Sequence, residues 1–522
     1  MNKKNWRKHH KWFGLVMCFF MLAFCVSGLL LNHRSIISDV NVSRSWLPSR
    51  YEYSQWNGGL LRGTVKIKDD VLLYGNSGVW LTDSVGSHFT DFNRGLPAGA
   101  DWRQIRNVVT EANVDTVTSS RALPLFAVSP FALYRFGVHG EWHKVDMPVA
   151  EGEKLADVAM RGDTLVVLSR SYVYVSLPPY GAFERVQLPA PAGYDGKATA
   201  FRAMWLLHSG ELFGVTGKLV VDAIAVVLVL LCVTGLLCWL VPKCIKRFHR
   251  GAALFRSSFS IHDNVGKYTI VLTLFVSITG WCLRPPVMIA LALSKVPALP
   301  GTVLRSDNAW NDKLRLVRYD DAAGSWLLST SDGFFSIRGF APEERKNGGL
   351  SVASIDKVEA PFPVSVMGLN VMEKASDGQW LCGSFSGLFR WNRAEGTATD
   401  YFTGEEAPKK AGPPFGKRAI SGLSQHFVRT DARTDGDVVS TGNIVVAEYY
   451  DGAPDFVAQP AEMRDLPMSL WNVALEMHTG RLFIGDVATY VFIFIVGLAV
   501  IWCLWSGYAI RRRKRPLKKK SL

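Results

Sequence analysis

The chain has 522 residues, of which 48% are apolar and 20% are charged, and its formal net charge at pH 7 is +14. This composition excludes a disordered or collagen-like chain, and at about 150 residues per domain the length suggests three or four structural units. The positive charge would suit a nucleic-acid partner, but the basic residues gather beside apolar segments. We therefore expect no nucleic acid and a membrane instead.

Four apolar segments are long enough to cross a bilayer core of about 30 Å, which takes roughly 20 helical residues. We predict transmembrane helices over residues 12–32, 217–241, 263–292 and 487–507, the third interrupted by Arg284-Pro285-Pro286. These spans divide the rest of the chain into a short N-terminus, two long inter-span regions, a loop and a tail, which cover residues 1–11, 33–216, 293–486, 242–262 and 508–522.

Basic residues mark one end of the spans, in clusters that contain no acidic residue. The clusters comprise Lys3, Lys4, Arg7, Lys8, Lys11; Lys243, Lys246, Arg247, Arg250, Arg256; and Arg511, Arg512, Arg513, Lys514, Arg515, Lys518, Lys519, Lys520. Cytoplasmic loops are enriched in Lys and Arg. We therefore predict a multi-pass protein of the bacterial inner membrane, with both termini inside and both long regions in the periplasm. The first span has no small-residue cleavage site, so we interpret it as retained rather than as a signal peptide.

The membrane part is built twice. HKWFGLVMCFFMLAFCVSGLLL, from His10, aligns without a gap with HDNVGKYTIVLTLFVSITGWCL, from His262. The returning spans also match, as LHSGELFG from Leu207 and MHTGRLFIG from Met477. Two parallel repeats predict a four-helix bundle with a pseudo-two-fold axis along the membrane normal.

The two periplasmic regions read as all-β. Three strand–turn–strand patterns occur in each, spaced about 40–60 residues apart, which is the range of propeller blades. They are VLLYGNSGVWLTD (Val71), LFAVSPFALYRF (Leu125), LVVLSRSYVYVS (Leu165), WLLSTSDGFFSI (Trp326), WLCGSFSGLFRW (Trp380) and VVSTGNIVVAEYY (Val438). The fold class is thus a helical membrane bundle with a β-rich, propeller-like domain. An ordinary β-sandwich or several small β domains is the alternative.

Histidines recur at matched positions of the repeat. His10 and His262 lie at the cytoplasmic ends of the outgoing spans, and His208 and His478 lie at the external ends of the returning spans. Any single interfacial histidine could simply contact water and headgroups. Two matched pairs instead favour a role as ligands of haem iron, with His33 and His249 as alternate ligands.

Glycines accompany these histidines. His10 and Gly28 lie about five helical turns apart at 3.6 residues per turn, so they share a face, and Gly14 lies one turn from His10. Gly266 and Gly280 repeat this layout after His262. Such a glycine face could make room for a porphyrin plane, or it could serve close packing between helices.

Symmetry pairs His10 with His262 and His208 with His478. Each pair could supply both axial ligands of a b-type haem, since the chain has no CxxCH motif for covalent attachment. The sequence thus predicts two haems stacked across the membrane, and it identifies no catalytic residue.

The stretches HKWFGL…SGLLLNH, LHSGELFG…TGLLCWL, SIHDNVG…SITG and MHTGRLF resemble the PepSY-associated transmembrane proteins of bacterial inner membranes. Some members are haem-b reductases that release iron from ferric siderophores in the periplasm. The resemblance implies electron transfer to a ferric siderophore or other ferric chelate. The short cytoplasmic segments cannot hold a flavin or nicotinamide domain, so the expected donor is a cytoplasmic reductase or a membrane quinol. The alternative function is a non-enzymatic receptor or scaffold with a ligand-binding periplasmic domain.

Overall fold

The structure is a computed structural model that describes residues 3–110, 124–340, 345–346, 349–350, 352–365, 367–409, 418–427, 444–485 and 488–512. The chain divides into two compact units. Unit 1 comprises residues 1–37, 195–306 and 470–522, and unit 2 comprises residues 38–194 and 307–469. Unit 1 carries the helices, and unit 2 carries most of the strands.

Unit 1 holds all the α-helices of the described chain. They are α1 Lys3–Asn32, α2 Arg34–Ile37, α3 Ala200–Ser209, α4 Gly214–Phe248, α5 Ala252–Cys282, α6 Val287–Leu293, α7 Leu470–His478 and α8 Ala488–Arg512. Among the described residues, four helical segments are long and apolar enough to cross a membrane: Lys4–Asn32, Glu211–Phe248, Ala252–Cys282 and Ala488–Ile510. Large apolar side chains such as Phe19, Val226 and Ile495 are exposed on these helices, as expected for faces that contact lipid.

The four long helices form a closed arrangement. Helix α1 packs against α4 and α8, and α5 packs against the same two helices, so α1 and α5 lie diagonally opposite each other. The short helix α3 packs against α5, and α7 packs against α1. Each outgoing span therefore contacts a short helix from the other half of the chain.

Several boundaries differ from the sequence-based prediction. The predicted third span, 263–292, is two helices, because α5 ends at Cys282 and α6 begins at Val287, after the two prolines. A proline has no N–H to donate and disfavours helix in the residue before it. The predicted loop 242–262 is much shorter in the structure, because α4 continues to Phe248 and α5 begins at Ala252. Unit 1 also contains one short antiparallel pair, Lys197–Thr199 with Lys295–Pro297.

Among its described residues, unit 2 contains five four-stranded antiparallel sheets and one two-stranded sheet, which follow one another along the chain. Sheet one is Gly63–Ile67, Asp70–Gly75, Gly78–Asp83 and Thr90–Asp91; sheet two is Asn107–Val109, Phe126–Val128, Leu133–Phe136 and Trp142–Val145; sheet three is Leu155–Arg161, Thr164–Ser169, Val173–Ser176 and Glu184–Val186; sheet four is Leu314–Asp320, Ser325–Thr330, Gly333–Gly339 and Val352–Val358; sheet five is Leu369–Lys374, Trp380–Ser384, Gly387–Asn392 and Thr397–Asp400; sheet six is Ile420–Ser424 and Val445–Glu448. Two small pairs complete the described strands of this unit, Asn41–Val42 with Met468–Ser469 and Arg345–Lys346 with Gly349–Leu350.

Five of the six predicted hairpins are present as paired strands, in sheets one to five. Their central strands are almost completely buried, as in Ser325–Thr330 and Trp380–Ser384. The sixth pattern begins at Val438, and its first strand lies outside the described residues. Its second strand, Val445–Glu448, pairs with Ile420–Ser424.

The first strands of the six sheets contact one another in chain order, and the first strand of sheet six contacts that of sheet one. Polar side chains join them. The buried carboxylate of Asp157 accepts hydrogen bonds from Asn107 Nδ2 at 2.9 Å and from Arg318 Nη1 at 2.6 Å, which links sheets two, three and four. Thr64 and Ser424 join their hydroxyls at 2.6 Å between sheets one and six. A buried carboxylate is stable only when it is paired and hydrogen-bonded, so this network holds the first strands of sheets two, three and four together.

Candidate functional site: two histidine pairs in the helical unit

The structure brings His10 and His262 together. The two residues come from the diagonally opposed helices α1 and α5, and their ring centres lie 6.0 Å apart with an interplanar angle of 54°. Both side chains are partly buried. The pairing inferred from the repeat is therefore the arrangement in the folded chain.

His208 and His478 form a second pair with the same spacing. Their ring centres lie 6.0 Å apart with an interplanar angle of 40°. The sequence placed these two residues at the external ends of the returning spans. In the structure they lie on the short helices α3 and α7, which precede those spans. A left-handed glycine, Gly210, ends α3, and the chain then turns into α4. The repeat is thus preserved in space, with a helix break between histidine and span.

Each histidine has Nδ1 fixed by a neighbouring helix in the same way. His10 bonds to the carbonyl of Cys503 at 3.0 Å and to the Ser506 hydroxyl at 3.2 Å. His262 bonds to the carbonyl of Leu231 and to the hydroxyl of Thr234, both at 3.1 Å.

The second pair repeats the device. His478 Nδ1 lies 3.0 Å from the carbonyl of Phe24 and 3.1 Å from the Ser27 hydroxyl. His208 Nδ1 lies 3.2 Å from the Thr279 hydroxyl, which donates its own proton to the carbonyl of Val276 at 3.0 Å and can therefore only accept from the ring. A carbonyl oxygen can only accept, so the proton resides on Nδ1 and the lone pair on Nε2.

A glycine follows each of these hydroxyl residues and makes room for the ring. A Cβ at Gly28 would lie 3.2 Å from Cε1 of His478, and one at Gly280 would lie 2.7 Å from Cε1 of His208. Gly235 stands in the same relation to His262, at 3.2 Å, as does Gly507 to His10, at 3.0 Å. The space beside Gly28 and Gly280 thus holds an imidazole from another helix.

Gly14 and Gly266 differ from these four glycines. A Cβ at Gly14 would meet Cys503 Sγ at 3.6 Å, and one at Gly266 would meet Leu231 Cδ2 at 3.6 Å, both ordinary van der Waals distances. Neither position requires glycine for the approach of a histidine.

The donor set fits a metal held between two imidazoles. Metal–nitrogen bonds of about 2 Å on opposite sides of one ion leave the ring centres about 6 Å apart, which is the spacing of both pairs. Burial lowers the pKa of His208 to about 4 and that of His478 to about 3. Both rings are therefore neutral at physiological pH, as a metal ligand must be.

The alternate ligands lie elsewhere. His33 Nε2 is 2.9 Å from Asp222 Oδ2, and Asn32 Nδ2 is 2.9 Å from the other oxygen of that carboxylate. The nitrogen that would bind iron is thus already engaged. His249 caps the end of α4 in a left-handed conformation, and its side chain is exposed.

Sequence reasoning found the four histidines but only half of their supports. It identified Ser27-Gly28 and Thr279-Gly280, and it missed Thr234-Gly235 and Ser506-Gly507. The signal was available, because each of the four long helices contains a Ser/Thr-Gly dipeptide, although α4 contains a second one, Thr216-Gly217. Arg284, which precedes the Pro-Pro break, acts electrostatically on both His208 and His478.

Comparison with known proteins gives a family match for part of the chain. No curated protein matches. Two solved chains from B. thetaiotaomicron are 9% identical to this chain, with TM-scores of 0.32 and 0.29. The first is described as the extracellular domain of the "putative hybrid two component system BT4673" and the second as that of the "putative one component system BT4673". They cover 75% and 76% of this chain, which spans 32% and 39% of theirs. Residues 1–242, which hold the first copy of the repeat, match the family described as PepSY-associated TM region.

Proposed function

We propose that this protein carries electrons across the bacterial inner membrane through two b-type haems, one held by His10 and His262 and the other by His208 and His478. The observation that carries the proposal is the fourfold support of the histidines. All four rings have Nδ1 bonded to a neighbouring helix, which leaves Nε2 available. Structural histidines need no such common orientation.

The chain's own residues supply the ligands and their orientation. The backbone carbonyls and the Ser/Thr hydroxyls fix the tautomer and increase the basicity of each imidazole. Burial lowers the pKa of His208 and of His478, which favours the neutral form of these two ligands. Haem bound at the two sites would supply a one-electron ferric–ferrous couple.

The two pairs lie at different depths of the bundle. His10 lies on α1, and His478 seats against Gly28 of the same helix, 18 residues later. At 1.5 Å per residue, this places the pairs about 27 Å apart along α1, close to the thickness of the bilayer core. We propose that electrons enter at the His10–His262 end, from a cytoplasmic reductase or a quinol, and leave at the other end to a ferric siderophore or chelate.

Unit 2 is proposed to be a six-bladed propeller in the periplasm. Support comes from the six successive sheets and from the first strands, which contact one another in a closed series. In propellers the innermost strands of successive blades line a central channel. The network of Asp157, Asn107 and Arg318 would then lie in that channel.

A receptor or scaffold is the second candidate, and the size of unit 2 favours it. In this function unit 2 binds a ligand or partner, and the bundle is only an anchor. The two candidates differ in colour. Under the electron-transfer proposal, the purified protein shows a reduced-minus-oxidised b-type spectrum and two haems per chain by pyridine haemochrome. A colourless protein that stays colourless when expressed with excess haem would reject electron transfer and leave the receptor.

Replacing Gly280 by alanine should disturb the His208 site selectively. The new Cβ would lie 2.7 Å from Cε1 of His208, so the ring must move away from its partner. Haem content should fall from two towards one per chain. Gly266→Ala is the matched control on the same helix, with its nearest contact at 3.6 Å, and it should retain two. Equal haem content in both variants would contradict the assigned role of Gly280.

The membrane orientation can be tested with reporters. A reporter fused after Leu522 should be active only in the cytoplasm, because the basic clusters mark that side. One inserted at Gly324, in an exposed turn of sheet four where a Cβ would contact nothing within 4 Å, should be active only in the periplasm. The reverse pattern would overturn the orientation and the direction of electron flow.

A further inference from the structure

Arg284 is a cation placed beside the His208–His478 pair. It lies four residues after Gly280, which seats the ring of His208, and just beyond the end of α5 at Cys282. Its positive charge acts on both imidazoles of the pair. Burial lowers its pKa to about 10, and the nearby Arg481 adds to the effect, so the guanidinium is still charged at neutral pH.

The described carboxylate that acts on Arg284, that of Glu476, is already bound by another arginine. Arg481 binds Glu476 with two hydrogen bonds, Nε to Oε2 at 2.8 Å and Nη2 to Oε1 at 2.5 Å. Both members of this ion pair, Arg481 and Glu476, act electrostatically on Arg284. Within the described ranges, no carboxylate lies within ion-pair distance of Arg284.

The described charged groups that act on Arg284 are thus the guanidinium of Arg481 and the carboxylate of Glu476, and that carboxylate is already bound to Arg481. A desolvated cation without a counter-ion is unfavourable, and a planar guanidinium is suited to bind a carboxylate through two parallel hydrogen bonds. An anion brought by a ligand would restore the balance. A b-type haem carries two propionate carboxylates at one edge.

We propose that Arg284 binds a propionate carboxylate of the haem ligated by His208 and His478, and thereby fixes the rotation of that haem in its site. This inference rests on the proposed function. Arg284 is a binding residue for the haem edge and takes no part in ligating the iron. Its position next to the helix break places the propionate edge at the same end of the bundle as α3 and α7.

The test compares haem with its dimethyl ester, in which both propionates are uncharged. The full-length protein is purified in detergent in a His262→Ala background, so that only the site of His208 and His478 is filled. It is stripped of haem and reconstituted with either form. Arg284→Gln should release haem to apomyoglobin roughly 10- to 100-fold faster than its parent, the effect expected for a lost hydrogen-bonded charge pair. For the dimethyl ester, parent and variant should release at the same rate.

Three further measurements separate the outcomes. Arg284→Lys keeps the charge without the two-pronged geometry and should give an intermediate rate. Lys295→Gln removes an exposed positive charge from the same unit and should release haem at the parental rate. The reduction potential of the haem should fall in Arg284→Gln, since a nearby positive charge favours the ferrous state.

Equal release of haem from Arg284→Gln and its parent would overturn the inference while leaving the haem site intact. An equal loss of haem and dimethyl ester would also overturn it, because Arg284 would then act through the fold. A parent protein that binds neither form would instead refute the proposed function.

Discussion

Replacing His478 by alanine should lower the haem content from two to one per chain while the protein remains in the membrane. In the described part of the chain, His478 is the histidine whose ring lies 6.0 Å from that of His208, and no other imidazole could replace it there. On the proposed function, the haem at this site would be held by His208 alone, and the Phe24 carbonyl and the Ser27 hydroxyl would lose the imidazole to which they bond. The measurement is haem per protein by pyridine haemochrome. His262→Ala should behave alike at the other pair.

His33→Ala is the control for this experiment. His33 lies close to the same end of α1, but its Nε2 is bonded to Asp222 at 2.9 Å. The His33→Ala protein should therefore keep two haems. The opposite pattern, with a haem lost from His33→Ala and none from His478→Ala, would make His33 the ligand. Stopped-flow mixing adds a functional test, because His478→Ala should no longer reduce an added ferric chelate while its remaining haem is still reduced.

Removing the carboxylate of Asp157 should destabilise unit 2 by about 3–5 kcal/mol, the usual effect of breaking a buried ion pair. The Asp157 side chain is 1% exposed and holds Arg318 at 2.6 Å. Asp157 also accepts from Asn107 and from the backbone N–H of Val317. Asp157→Ala would leave the partly buried guanidinium of Arg318 without the carboxylate that neutralises it and would unlink sheets two, three and four. The measurement is thermal unfolding of the full-length protein, followed by tryptophan fluorescence.

Asp321→Ala supplies the matched control. The Asp321 carboxylate is 76% exposed and lies 3.6 Å from Nε of Arg161. Exposed ion pairs contribute about 0–1 kcal/mol, so the unfolding temperature should barely change. Similar unfolding temperatures for the two variants would show that the Asp157 network does not hold the first strands of sheets two, three and four together.

The sequence was sufficient to pair the histidines, because a repeat within one chain places equivalent residues at equivalent positions. It did not show that α3 and α7 are helices, because both segments fell within the regions predicted to be β-rich. It also could not show which helix faces which. The role of Gly235 and Gly507 therefore escaped, although both follow the same Ser/Thr signal as Gly28.

The β-rich regions show a similar division. Hairpins such as Trp380–Ser384 with Gly387–Asn392 were readable from alternating apolar residues around a turn. The fourth strands were not, because short segments such as Thr90–Asp91 are exposed and carry no apolar pattern. The pairing of Ile420–Ser424 with Val445–Glu448 joins strands about twenty residues apart in sequence, and local patterning contains no information on such a partner.

The glycine-lined seats have a consequence for binding affinity. Each imidazole is held by bonds between protein groups alone, as His10 is by Cys503 and Ser506, so its rotamer is set before any ligand arrives. Immobilising a flexible side chain on binding costs about 0.5–1.5 kcal/mol. Two rings per site avoid that entropic penalty. A ligand that binds both imidazoles of a pair would therefore not have to order them, and little of the free energy of the new bonds would be lost to side-chain entropy.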